Sequence, residues 1–244
     1  MELSVVIPVL NEAGNIEPLL AEVVAALQGR FDYEIVYVDD ASDDATPDEL
    51  ASARRRHPPL RVVTHRRTCG QSTALRSGVI AARGDWIATL DGDGQNDPAD
   101  IPKLLEVARQ AAATGQTELV AGYRKRRQDS NVKRVSSRVA KAVRSRLLAD
   151  ATPDTGCGLK VFARADYLTL PYFDHMHRFL PALMQRAGGS VTSVEVNHRH
   201  RQRGASKYGT LDRLAVGVVD LLGVMWLQRR ARIPEANETR DALE

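Results

Sequence analysis

Trp86-Ile87-Ala88-Thr89-Leu90-Asp91-Gly92-Asp93-Gly94-Gln95-Asn96-Asp97-Pro98 is the stretch from which the rest of the chain can be read. The apolar run Trp86 to Leu90 reads as a buried strand, and Asp91, Asp93 and Gln95 follow it at every second position. Alternate side chains of extended backbone point the same way, so three oxygens can converge on one hard cation. Gly92 and Gly94 between them let backbone approach a ligand closely. Asp97 then caps a helix that begins at Pro98. A polar turn by itself would account for Asp97 and Pro98, but not for acids at the strand end.

The same strand-then-acid arrangement recurs upstream. Leu3 to Val9 is a continuous apolar run, as in a parallel strand buried on both faces, and Asn11 and Glu12 follow it. A helix is predicted from Asn15 to Leu27, with Ile16, Leu19, Leu20, Val23, Val24 and Leu27 on one face. Tyr33 to Val38 is a second strand ending in Asp39 and Asp40, and Thr46 caps a helix with Pro47 in its first turn. Leu60 to Thr64 is a third strand, Gln71 to Ala82 a helix after the turn at Gly70, Asp85 to Leu90 the fourth strand and Pro98 to Ala112 the fourth helix. Four strand–helix units in succession imply a mostly parallel, Rossmann-like α/β sheet flanked by helices, with ligands outside the carboxyl ends of the strands. The suspicious polar residues all fall there. No dinucleotide glycine fingerprint follows the first strand.

The second half is less regular. Glu118 to Tyr123 reads as a strand, Val132 to Leu148 as an amphipathic helix, Gly156 to Phe162 and Val191 to His198 as extended, and Thr210 to Gln228 as a final helix. Ten Lys or Arg residues lie between Arg124 and Arg146 against one acid, Asp129, although the whole chain carries only +3. That concentration points to an anionic partner. With no aromatic residue after Tyr123 in this stretch to stack on bases, nucleic acid is disfavoured and a basic nucleic-acid-binding protein is a remote alternative. Cys69 and Cys157 show no metal-ligand spacing, which fits a reducing compartment. Met1 leads almost directly into a strand, so no secretory signal is expected. The most apolar segment, Leu214 to Leu227, has 14 residues and carries Asp220, whereas a span needs about 20.

Taken together, Ile7-Pro8-Val9-Leu10-Asn11-Glu12, Val38-Asp39-Asp40-Ala41-Ser42-Asp43-Asp44, the Asp91 to Pro98 block, Asp154-Thr155-Gly156-Cys157-Gly158 and Arg203-Gly204-Ala205-Ser206-Lys207-Tyr208 resemble the inverting glycosyltransferases of family 2. The closest likeness is to the polyprenyl-phosphate hexosyltransferases, the dolichol-phosphate mannosyltransferase branch, over about residues 2 to 228. The resemblance implies a GT-A fold for nucleotide-diphosphate sugars. It implies that Pro8, Asn11, Glu12, Asp39, Asp40, Gly70, Asp91, Arg203 and Ser206 bind the nucleotide sugar, a carboxylate there accepting from base or ribose. Asp91, Asp93 and Gln95 would hold Mg²⁺ or Mn²⁺, and Asp91, Asp93, Arg203 and Lys207 would carry catalysis. Arg124, Lys133 and Ser137 match positions that grip the acceptor phosphate. The implied reaction moves a hexose from GDP-mannose or a UDP-hexose to a dolichyl or undecaprenyl phosphate.

Departures from the family pattern sharpen this. The segment His177 to Leu183, where sugar-to-sugar members of family 2 keep an acidic base, contains no acid. A phosphate oxygen is already anionic at neutral pH and needs no such base, so transfer to a glycan or glycolipid hydroxyl is the alternative and not the leading reading. Cys69 stands where relatives often have a polar or basic residue, and His177 and Arg178 are candidates for sugar contact or, for the histidine, for simple packing. The expected organisation is a catalytic domain over 1–210, with a nucleotide-sugar half (1–123) and an acceptor half (124–210). A helix over 211–232 that lies at a membrane interface or packs on protein, and a disordered tail over 233–244, would follow it. Peripheral attachment to the cytoplasmic face of the plasma membrane is expected, and a homo-oligomer or a membrane partner protein is compatible with the chain.

Overall fold

The computed structural model describes residues 1–124, 145–199 and 210–232, with side chains of the last segment described from residue 217. The chain alternates β1 (Leu3–Val9), α1 (Ile16–Leu27), β2 (Tyr33–Asp39), α2 (Thr46–Arg56), β3 (Leu60–Thr64), α3 (Gln71–Ala81), β4 (Trp86–Thr89) and, after a short 3₁₀ turn at Pro98–Asp100, α4 (Ile101–Ala113). Then come β5 (Glu118–Tyr123), β6 (Lys160–Ala163), α5 (Arg164–Thr169), a 3₁₀ turn at Met176–Arg178, α6 (Leu180–Arg186), β7 (Ser190–Glu195) and α7 (Thr210–Arg229).

One seven-stranded sheet has the order β3-β2-β1-β4-β6-β5-β7. β1, β2, β3 and β4 pair in parallel, as do β5 and β7; β6 alone runs against its neighbours β4 and β5. The reversal puts the turn before β6 beside the carboxyl end of β4. The strand expected from Gly156 begins only at Lys160, because Gly156 to Leu159 form that turn.

Strand β1 explains its own unbroken apolar sequence. Leu3, Val5, Ile7 and Val9 pack with α1, α2 and α4 on one face, while Val6 joins Val36 and Val38 against α3 on the other. Period-two alternation therefore disappears, as expected for a strand covered on both sides. Pro8 is tolerated in this central strand for a local reason. Val6 O accepts from Leu90 N, and Pro8, two residues on, faces the same side beyond the end of the short β4, so its missing N–H breaks no ladder.

Of the two predicted helix caps, one holds and one does not. Asp97 caps as predicted, its carboxylate accepting from Ala99 N at 3.0 Å. Thr46 does not cap α2; it is the first helical residue, and its hydroxyl accepts from Glu12 N at 2.9 Å, tying the β1 loop to the β2 loop. At the far end, α7 buries Val224 in the second core and receives a hydrogen bond from Arg186 Nε to Leu227 O (2.9 Å). Its other side leaves Val218, Val219, Leu222 and Trp226 half to two-thirds exposed.

Candidate functional site

The site lies where β1, β2, β3 and β4 end, and its loops are braced against one another. Asn11 sits in the left-handed region (φ 54°), which asparagine tolerates better than most residues. Its N–H donates to Ser42 Oγ (2.9 Å), and its side-chain oxygen accepts from Asp43 N (2.9 Å). Glu12 accepts from Asn15 Nδ2 (2.8 Å), and Asp39 from Ser42 N (3.0 Å). Asn11, Glu12 and Asp39, expected beside the nucleotide, thus hold the shape of the β1 and β2 loops.

Asp40 is buried and fully occupied. Its Oδ1 accepts from Cys69 N (2.9 Å) and faces His65 Nδ1 (2.6 Å), while Oδ2 accepts from Gly70 N (2.8 Å). Gly70 has φ 88° and precedes α3, so the carboxylate sits just ahead of that helix, near the positive end of its dipole. The sequence reading gives Asp40 to base or ribose; in the folded chain its oxygens also fix the 65–70 loop. Asp40, His65 and Cys69 have donor atoms within 4.8 Å of one another, a grouping that the sequence spacing conceals.

The acidic block has its own seat. Asp91 Oδ1 accepts from Gln71 Nε2 at 2.9 Å, a contact from the first turn of α3. Burial, then the neighbouring charge of Asp93, raise the Asp91 pKa to about 6. Two carboxylates disposed so that one suppresses the ionisation of the other suit a divalent cation, and their hard oxygens suit Mg²⁺ or Mn²⁺. Asp93 Oδ1 accepts from Gln95 N (3.1 Å), and Gln95 O accepts from Arg199 N (3.0 Å). The glycines differ from their expected role. A Cβ on Gly92 would lie 2.5 Å from Val9 Cγ1, so Gly92 is required by packing against the end of β1. Gly94 adopts φ 70° in a turn with open space around it.

Arg124 closes the opposite side. Its Nε and Nη2 form a two-pronged pair with Asp154 at 2.6 and 2.9 Å, and both side chains are largely buried. Burial works against the Arg124 charge, but the Asp154 carboxylate more than offsets it and the pKa rises. Lys160, 4% exposed, donates to the Cys157 carbonyl; burial lowers its pKa, against the opposing pull of Cys157, Asp91 and Asp154. His177 shares a hydrogen bond with Ser72 Oγ through Nδ1 (2.7 Å), and burial lowers its pKa to about 3, so it is a neutral packed histidine.

Gln71, Asp154 and Lys160 are the site residues that sequence reasoning missed. Asp154 stood in a motif that was recognised without a role, whereas Gln71 and Lys160 carried no local signal. Lys133, Ser137, Arg203, Ser206 and Lys207, together with the 233–244 tail, lie outside the described residues. Of the helix expected over 132–148, the described part is the helical turn at 145–148.

A mostly parallel sheet with paired acids beyond its central strand is the GT-A architecture. The crystal structure of glucosyl-3-phosphoglycerate synthase from Mycobacterium tuberculosis with UDP superposes with a TM-score of 0.69 at 22% identity, covering 96% of this chain and 82% of that one. The same enzyme with Mn²⁺, UDP and glucosyl-3-phosphoglycerate gives 0.68 at 22% identity, covering 96% and 81%.

The model of glycosyl transferase family 2 matches residues 4–169, and the chain belongs to that family. It is 36% identical over 238 residues to the dodecaprenyl-phosphate galacturonate synthase of Rhizobium johnstonii, covering 94% of this chain and 68% of that protein. It is 35% identical over 211 residues to the undecaprenyl-phosphate 4-deoxy-4-formamido-L-arabinose transferase of Edwardsiella ictaluri, covering 85% and 63%. The chain thus spans about two thirds of the length of these relatives.

Proposed function

We propose that this family 2 glycosyltransferase moves a hexose from a nucleotide sugar to a polyprenyl phosphate with inversion at the anomeric carbon. The observation that carries the reading is the pairing of Asp91 and Asp93 at the end of β4 with Arg124 held across the 154–160 turn. The names of the relatives, both polyprenyl-phosphate sugar transferases, support the acceptor class.

Asp91, Asp93 and Gln95 would hold Mg²⁺ or Mn²⁺. Bound there, the ion would supply Lewis-acid stabilisation to the departing nucleoside diphosphate. Arg124, its guanidinium fixed by Asp154, orients the acceptor phosphate, whose oxygen attacks without prior deprotonation. Neutral His177, tied to Ser72, takes no proton in this scheme. The segment that holds Arg203, Ser206 and Lys207 follows Arg199 in the chain, and Arg199 N donates to Gln95 O. That origin supports its reaching the donor diphosphate. Pro8, Asn11, Glu12, Asp39, Asp40 and Gly70 would border the nucleotide, with Asp40 accepting from base or ribose.

The division into a catalytic domain over 1–210 and a following helix belongs to this proposal, as does attachment at the cytoplasmic face of the plasma membrane. The exposed apolar side of α7, with the exposed Arg229 at its end and Arg230 and Arg232 after it, supports an interfacial position. Among the described residues no helix is long and apolar enough to cross a membrane.

The test is a thermal-shift panel of nucleoside diphosphates and their sugars with Mn²⁺, followed by turnover with labelled donor on polyprenyl phosphate. Asp93→Ala is expected to abolish turnover with the fold intact. Full activity in that variant, or transfer only to a hydroxyl acceptor, would reject the proposal.

A further inference from the structure

Within the Asp154-Thr155-Gly156-Cys157-Gly158 motif only Asp154 has a role in the reaction so far, and Lys160 has none. Gly158 meets Asp91 more closely than any side chain would allow. A Cβ built on Gly158 would lie 2.2 Å from Asp91 Oδ2, 2.4 Å from Cγ and 2.7 Å from Oδ1. Its φ is not in the left-handed region, so alanine could adopt this backbone, and glycine is required by the carboxylate opposite it.

The turn itself has no freedom to retreat. Gly158 O accepts from Thr89 Oγ1 at 2.5 Å, and Leu159 O accepts from Gly122 N at 2.9 Å. The Cys157 carbonyl accepts from the buried Lys160 ammonium. Asn96 donates to Cys157 Sγ at 3.6 Å, and its side-chain oxygen accepts from Asp91 N at 3.4 Å. β4, β5, β6 and the acidic block therefore all clamp the same three residues, Cys157 to Leu159. Of the two groups in contact, a flexible carboxylate and a clamped backbone, the carboxylate must yield to any added atom. Asp154, four residues earlier in the same turn, aims Arg124.

We infer that Gly158 is a positioning residue: it forms the slot that holds the Asp91 carboxylate in its metal-binding orientation, with Lys160, Thr89 and Asn96 keeping that slot rigid. The inference rests on Asp91 being a metal ligand and adds what orients it. Groups that orient metal ligands are typically worth about 10- to 100-fold in metal affinity.

The experiment compares wild type, Gly158→Ala, Asp91→Ala and the double variant. Stabilisation by Mn²⁺ with UDP, and by Mn²⁺ with GDP, is titrated by thermal shift alongside denaturation of the metal-free proteins. Gly158→Ala is expected to weaken the Mn²⁺-dependent stabilisation at least tenfold in apparent affinity while the metal-free protein stays folded. In the Asp91→Ala background, where the slot is empty, the same glycine change is expected to alter nothing. Wild-type Mn²⁺ affinity in Gly158→Ala, with Asp91→Ala impaired, overturns the inference and leaves the metal reading standing. Wild-type affinity in Asp91→Ala, or no Mn²⁺-dependent stabilisation of the wild type, overturns the metal reading itself. Should Gly158→Ala fail to fold, recovery of folding in the double variant supports the slot, and failure of both rejects it.

Discussion

Asp91→Asn is expected to make the metal-free protein more stable at neutral pH while removing a ligand. Burial and the charge of Asp93 raise the Asp91 pKa from 3.8 to about 6. Each tenfold difference in proton affinity is about 1.4 kcal/mol, so ionising Asp91 costs the folded state about 3 kcal/mol more than the unfolded one. The sign follows from the two pKa values. Well below pH 3.8 the carboxyl is neutral in both states and the cost vanishes; between about pH 4 and 6 the unfolded chain ionises first and the wild type loses stability; above 6 the full penalty applies. Asparagine keeps an oxygen to accept from Gln71 Nε2 and never ionises.

Urea denaturation with chelator present measures this directly. At pH 7.5 the variant is expected to gain up to about 3 kcal/mol, which in a chain of this size is a midpoint rise on the order of 6–12 °C. At pH 4 the difference is expected to shrink to under about 1 kcal/mol. Stabilisation by Mn²⁺ with nucleoside diphosphate is expected to be lost in the variant. An Asp91→Asn protein less stable than wild type at pH 7.5, or a gain of equal size at pH 4, would refute the reasoning. Such a result would mean that Asp91 carries no net electrostatic strain.

Asp154→Asn leaves the largely buried Arg124 without its counter-ion and is expected to cost about 3–5 kcal/mol. If Arg124 meets the acceptor, the KM for polyprenyl phosphate should also rise more than kcat falls, which steady-state kinetics would register. Replacing the exposed Leu222 and Trp226 by serine is expected to lower sedimentation with anionic vesicles without shifting the melting midpoint, because neither side chain lies in a core. Unchanged vesicle binding would remove α7 as the membrane-facing element.

The first half of the chain was readable almost residue by residue. Strands β1 to β4 are short apolar runs, helices α1 to α4 have marked caps or apolar stripes, and the polar residues between them fall at strand ends. Local pattern encodes such features because each element buries its own surface against the next. The α5 and α6 helices escaped notice because they have 6 and 7 residues, too short to show a helical period. The reversed direction of β6 left no trace in its sequence, since strand polarity is set by the long connection before it and not by the residues within it.

At the site, sequence alone identified the acids and the sign of the partner they would accept. The spacing of Asp91, Asp93 and Gln95 is a local property, and so is the family to which these motifs belong. What each carboxylate does was decided by residues distant in the chain. Asp40, read from the sequence as a ligand for the nucleotide, also came to hold the loop ahead of α3 once β2 and β3 lay side by side and brought Cys69 and Gly70 to its oxygens. Asp91, 67 positions before Gly158 by residue number, met that glycine only when the antiparallel β6 carried the turn against β4. Chemistry that depends on residue type can be read along the chain; orientation, burial and mutual charge arise only when separated segments close on one another.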